Sequence, residues 1–136
     1  MKKLTILLVI IFSFLFSTTS WGDWNYFPIT PDSVQLVKYY YDKDKIRKSG
    51  KFIYFWQLLS YKEPFLEGIE GVLSFTTYIQ LECSIFRFKM LKYNFYSKSM
   101  GEGELVQEVT PTSGWEYPEP KTIAMSLYEK ICEEHQ

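Results

Sequence analysis

Two cysteines, Cys83 and Cys132, constrain this chain more than any other residues, because the segment that precedes them marks it for export. Lys2 and Lys3 lead into an apolar run from Leu4 to Phe16, and the small polar stretch Ser17-Thr18-Thr19-Ser20 follows. Charged, then apolar, then small and polar is the order of a cleavable secretory signal. Ser20 and Gly22 are small enough for the recognition pockets of a signal peptidase, so cleavage is expected before Asp23. Residues 1–22 are then the signal peptide and 23–136 the mature domain. A helix that crosses the hydrocarbon needs ~20 apolar residues. This run is shorter, and no membrane span is expected after cleavage. No cysteine follows the run closely, which excludes a lipoprotein-type anchor.

An exported chain with an even number of cysteines is read as a disulfide framework. Two cysteines admit one pairing, Cys83 with Cys132, and the loop it closes has about 50 residues. The chain-entropy model assigns such a closure about 4 kcal/mol. There is no CxxC motif for a redox site, and His135, the only histidine, stands too close to the C-terminus to complete a metal cluster.

Cleavage would remove two lysines and take the formal charge from −1 to about −3, with both signs interspersed. That balance does not favour nucleic acid as a partner. The length suits one domain. Aromatic residues make up 19% of the chain and fit strands and recognition surfaces alike.

Along the mature chain, Asp23 to Ile29 and Val34 to Tyr41 read as strands around a turn at Thr30-Pro31-Asp32-Ser33. Ile46 to Gly50 reads as a short continuation. Lys51 to Tyr61 is apolar on both faces, as expected of a central strand covered twice, by its own chain or by another subunit. Lys62 to Gly71 reads as a loop. From Phe75 the alternation is clean, with Phe75, Ile79, Leu81, Cys83 and Ile85 on one face and Thr76, Gln80, Glu82 and Ser84 on the other. The phase slips near Ile85-Phe86, where a β-bulge, a bend or a strand with its outer face buried is expected. Leu91 to Ser97 and Glu104 to Thr110 read as two more strands joined by a turn at Gly101-Glu102-Gly103. After the Pro-rich stretch Pro111 to Pro120, a helix is expected over Thr122 to Glu134 with Thr122 as N-cap. Its apolar stripe is Ile123, Ala124, Leu127, Tyr128 and Ile131, with Cys132 at the flank. Both periodicities thus aim the two cysteines at one core.

Few residues of the chain carry the spacing that chemistry requires. A nucleophile needs a base, and His135 is badly placed for one. The carboxylate pairs Asp42/Asp44, Glu67/Glu70 and Glu102/Glu104 read as solvated turn charges, and none has calcium-loop spacing. Arg87, Lys89, Lys92 and Lys98 alternate with aromatic residues and read as the outer face of a hairpin. No catalytic residue, metal ligand or cofactor is expected.

Several spaced positions resemble the surface-adhesin protein E-like domain of Gram-negative bacteria. They are Trp24, Tyr40-Tyr41-Asp42, Ile46, Gly50, Trp56, Cys83 with Arg87, Gly101-Glu102-Gly103, Trp115, Pro120 and Cys132. The resemblance implies an α+β fold: one antiparallel sheet of about six strands with a C-terminal α-helix tied to it by the disulfide. It also implies residence in the periplasm or on the outer surface, self-association into a homodimer, and binding of host matrix or serum proteins or of envelope proteins. The competing expectation is a periplasmic structural or small-ligand-binding protein. No binding residue carries over, because the family's binding segments are not sharp motifs.

Overall fold

The computed structural model describes residues 22–28, 36–64 and 70–136. Most of the expected signal peptide, the turn at Thr30–Ser33 and Glu67 lie outside the described residues. In chain order the elements are β1 (Trp24–Phe27), β2 (Val37–Asp42), β3 (Arg47–Ser49), β4 (Phe52–Tyr61), β5 (Ser74–Glu82), β6 (Arg87–Tyr96), β7 (Leu105–Val109) and α1 (Ile123–His135). All strands pair antiparallel in the order β1-β2-β4-β5-β6-β7, and β3 pairs with the part of β4 that β2 does not reach.

The doubly apolar β4 is central, as its sequence requires. On one face Ile53 and Phe55 stand opposite Leu81 and Ile79 of β5, with Phe88 of β6 beside them. These side chains are buried against Leu127, Tyr128 and Ile131 of α1. Each such side chain withdrawn from water contributes about 1.5–3 kcal/mol. Tyr128 is wholly buried and meets Phe55 edge-on at 5.7 Å and Phe88 at 5.1 Å between ring centroids. The helix starts where Thr122 predicts: its Oγ1 accepts from the Met125 N–H at 3.2 Å. The cap satisfies one of the N–H groups that a helix start leaves without partners.

On the other face of β4 the Leu58–Ser60 end is covered by the chain itself. The connection from β6 to β7 folds back over Leu58 and Ser60 of β4 and Ser74 and Thr76 of β5, all buried. The Met100 N–H donates to Ser60 Oγ at 3.2 Å and the Gly101 N–H to Ser74 Oγ at 2.9 Å. Gly101 takes φ +70°, a backbone conformation that side-chain-bearing residues rarely adopt, while a Cβ there would meet the Leu58 side chain only at an ordinary contact distance of 3.7 Å. Glycine takes such a conformation at no steric cost.

One expectation is corrected. The phase slip near Ile85-Phe86 is neither a bulge nor a bend in a continuing strand, but a reversal. Cys83-Ser84-Ile85-Phe86 form a tight turn with Phe86 at φ +49°, and Arg87 comes back opposite Glu82. The bulge lies later, where Tyr78 and Ile79 face Lys92 and Met90 and leave Leu91 as the extra residue of β6. Inward positions accordingly pass from Phe88 and Met90 to Tyr93 and Phe95 across it. Residues 87–96 therefore form one strand, which the sequence divides in two.

Cys83 ends up in that turn and Cys132 in the third turn of α1. They are bonded, with Cα atoms 5.7 Å apart and 49 positions apart in sequence. Replacing Cys132 by Ser is expected to cost about 4 kcal/mol of stability, read as a lower urea midpoint that reductant lowers equally in the parent chain. Thr122→Ala should cost about 1 kcal/mol through loss of the cap, measured in the same titration.

Candidate functional site

The face of the sheet away from α1 carries every feature that suggests recognition. Period-2 alternation sends Trp24 and Tyr26 of β1, Tyr40 and Asp42 of β2, Phe52, Tyr54 and Trp56 of β4, and Tyr78, Gln80 and Glu82 of β5 to this side. The strand register then lines them up in rows, with Trp24 opposite Asp42, Trp56 opposite Tyr78 and Tyr54 opposite Gln80. Trp56 and Tyr78 stack at 4.8 Å, and Gln80 Nε2 donates to the Tyr54 hydroxyl at 3.0 Å.

At one end of the face the row Phe52–Glu82–Arg87 builds a clamp. Glu82 is 2% exposed, an unusual place for a carboxylate. Lys51 Nζ lies 2.7 Å from one of its oxygens and Arg87 Nε donates to the other at 2.8 Å. Arg87 also covers the ring of Trp115 at 4.4 Å, and Trp115 stacks on Phe52 at 5.6 Å. Paired backbone hydrogen bonds of 2.8 Å join Phe88 to Glu116. The Pro-rich loop is thereby fastened along the open edge of β6. Of the basic series read from the sequence, Arg87 is engaged in this clamp and Lys92 pairs with Glu108 at 2.9 Å. Two of the four thus have partners of their own on the outer face of a hairpin.

Toward the middle of the sheet lies a partly open cavity of about 230 Å³, lined by Trp24, Asp42, Lys45, Trp56, Thr76, Asn94 and Tyr96, with Gly22 and Gly101 completing its wall. Five neighbouring strands contribute. Asp42 is 1% exposed. One carboxylate oxygen accepts from the Asp44 N–H at 3.2 Å and the other lies 3.3 Å from Lys45 Nζ. Thr76 Oγ1 and Asn94 Oδ1 are buried and have no hydrogen-bond partner among the described residues.

Of the carboxylate pairs read from the sequence, Glu67/Glu70 has its first member outside the described residues. Asp42 serves as the cap of the short turn Lys43–Lys45 while Asp44 points to solvent, and Glu102 and Glu104 lie in the β6–β7 connection. Among the described residues no three His, Cys, Asp or Glu side chains gather as a metal site, and no helix is long and apolar enough to cross a membrane. Sequence reasoning missed the cavity. Its strand residues hold outward positions that the register brings together, and Gly22, Lys45 and Gly101 join them from outside the strands.

The hydrogen bond from Lys51, helped by Arg87, holds the Glu82 carboxyl below the usual carboxylate range although burial pulls the other way. A carboxylate with a depressed folded pKa contributes stability that is present above its unfolded pKa and is lost as pH falls through the folded value. Glu82→Gln should therefore flatten the acid limb. Urea midpoints taken from about pH 6 down to about pH 2 are expected to fall less steeply in the variant than in the parent chain.

Comparison with known proteins fits this architecture. The family model described as surface-adhesin protein E matches residues 26–133, from within β1 to the last turn of α1. A solved structure of Haemophilus influenzae protein E superimposes with a TM-score of 0.54 at 18% identity, covering 71% of this chain and 78% of that one. Protein E from non-typeable Haemophilus influenzae gives a TM-score of 0.53 at 18% identity, covering 80% and 84%. At that identity the likeness speaks for the fold. No curated protein sequence matches the chain closely enough to count as a relative.

Proposed function

This chain belongs to the surface-adhesin protein E family, and from that premise we propose that it is an exported, non-enzymatic envelope protein that binds host matrix or serum proteins. The observation that carries the reading is the extent of the family match, which takes in all the strands after β1 and nearly the whole helix. The chemistry of the side chains supports it. The buried carboxylates, Asp42 and Glu82, are engaged in ion pairs, and the His135 ring is 3.1 Å from the Ile131 carbonyl at the end of α1. Groups so engaged suit a framework for contact more than proton transfer.

Contact surface is present at both edges of the sheet. Tyr26 on β1 and Leu105 and Val106 on β7 are exposed, as is Tyr117 in the loop. Exposed apolar residues on an edge strand favour association with another chain, which supports a homodimer as part of this proposal. Cleavage before Asp23 would place the mature N-terminus immediately before β1 and deliver the domain beyond the inner membrane.

Two measurements together test the reading. Protease applied to intact cells should degrade the protein, and purified chain should bind immobilised matrix or serum proteins saturably. Full protection in intact cells would remove the adhesin function and leave a periplasmic role, structural or in small-ligand binding.

A further inference from the structure

We propose that the outer face of the sheet binds a linear sulfated polysaccharide, with Arg47 and Lys89 as anchoring cations, Lys51 and Arg87 beside them, and the Tyr54 and Tyr78 hydroxyls as donors between. The ligand is a carbohydrate polymer and not a protein, so the proposal does not rest on the adhesin reading.

Charge comes first. Strand register sets Arg47, Tyr54, Gln80 and Lys89 in one row across β3 to β6. The next row holds Glu82 and Arg87, with Lys51 at its side, and on the other flank Lys92 stands opposite Tyr78. Five cations, Arg47, Lys51, Arg87, Lys89 and Lys92, therefore meet two carboxylates, Glu82 and Glu108, an excess of three positive charges. The domain that carries them has an expected net charge of about −3. Positive charge is thus concentrated on this face. Arg47 and Lys89 form no ion pair among the described residues. Arg47 is exposed and Lys89 half-buried, so both reach solvent. Because the cations are spread across four strands, a polymer with repeated charges engages more of them than one small anion does.

The rings then select among polyanions. All three cation–π contacts of the described residues lie on this face: Arg47 over Tyr54 at 5.0 Å, Lys51 over Phe52 at 5.2 Å and Arg87 over Trp115 at 4.4 Å. Trp115 also stacks on Phe52, and Trp56 on Tyr78. The bases of a single-stranded nucleic acid bind by stacking on open ring faces, and here those faces are largely taken by cations and by other rings. The rings serve instead to hold the cations flat along the sheet.

Hydrogen-bond polarity narrows the class further. The Tyr54 hydroxyl accepts from Gln80 Nε2 at 3.0 Å, and the Tyr78 hydroxyl accepts from Arg47 at 3.5 Å. Each hydroxyl keeps its own proton to donate, next to guanidinium and ammonium groups that can only donate. Sulfate groups offer acceptors alone and match this floor. An acidic peptide brings backbone N–H donors as well, and the row gives them little beyond Gln80 Oε1.

The test is calorimetric titration of the purified, oxidised protein with heparin at about 0.15 M salt. Saturable binding is expected, and it should weaken as salt rises, because neutralising a polyanion releases its counterions. Arg47→Ala should weaken it about fivefold and Lys89→Ala about threefold. Each should lower the slope of log affinity against log salt by about one. Lys89→Ala should keep the parent melting temperature, since that side chain has no ion pair to lose. The control is Lys48→Ala, which removes the same charge from the residue next to Arg47. Its register opposite Ile53 turns it to the α1 side, and it should change nothing. Unsulfated dextran, polyglutamate and a single-stranded oligonucleotide should all bind far more weakly than heparin. Absence of saturable heparin binding would overturn the proposal. So would an equal loss in Lys48→Ala, which assigns the effect to diffuse charge. Polyglutamate or oligonucleotide binding as tight as heparin would overturn it too, and would give the face to an acidic protein or a nucleic acid.

Discussion

Ile53 and Phe55 leave water on one side of β4 while Leu58 and Ser60 leave it on the other, and a strand buried in that way has to be covered twice. The helix provides one cover and the β6–β7 connection the other. Most of the remaining architecture follows. β5 and β6 must extend far enough to carry the connection back over β4, and the Pro-rich loop must return α1 to the opposite face. Two chemically unlike covers result. Beneath α1 the contacts are apolar and aromatic. Beneath the connection the serine hydroxyls of β4 and β5 bind backbone N–H groups, so the second cover is held by polar contacts where the first is held by packing.

How much of this the sequence reveals depends on how local the determining physics is. The helix was legible to within a residue because its cap, its stripe and the proline before it all lie within one short segment. The centrality of β4 was legible from its two apolar faces, and the disulfide from export together with cysteine count. The turn at Cys83–Phe86 was not. It contains no Gly, Pro, Asn or Asp, and Phe86 adopts a left-handed conformation with nothing in its side chain to announce it. The antiparallel pairing of β5 with β6, closed by Glu82 opposite Arg87, accompanies the turn.

The candidate site was less legible still. Thr76 carries the alternation signal of an outward position, which ordinarily means solvent, and Trp56 lies on a strand apolar on both faces, while nothing local marks Trp24, Asp42 or Asn94. Their convergence depends on long-range register, which no local pattern encodes. The burial of Glu82 was hidden for a related reason: alternation placed it outward, but Lys51, Arg87 and the returning loop make that outward place an interior one. The aromatic content, by contrast, was a fair guide, since the outer face divides its rings between a clamp around Trp115 and a cavity around Trp56.

The Cys83–Cys132 bond has a mechanical meaning as well. It closes β6, β7, the connection, the Pro-rich loop and nearly all of α1 into a covalent ring, with β1 to β5 as an arm leading into it. Only Glu133 to Gln136 lie beyond the ring on the other side. A force applied at the C-terminus passes through the sulfur bridge straight to the β5–β6 turn, so neither the helix nor the edge strand β7 can be peeled away by it. A force applied at the N-terminus meets β1 first and opens the sheet from that edge, strand by strand. Under tension the molecule is therefore polar, yielding from one end and locked at the other.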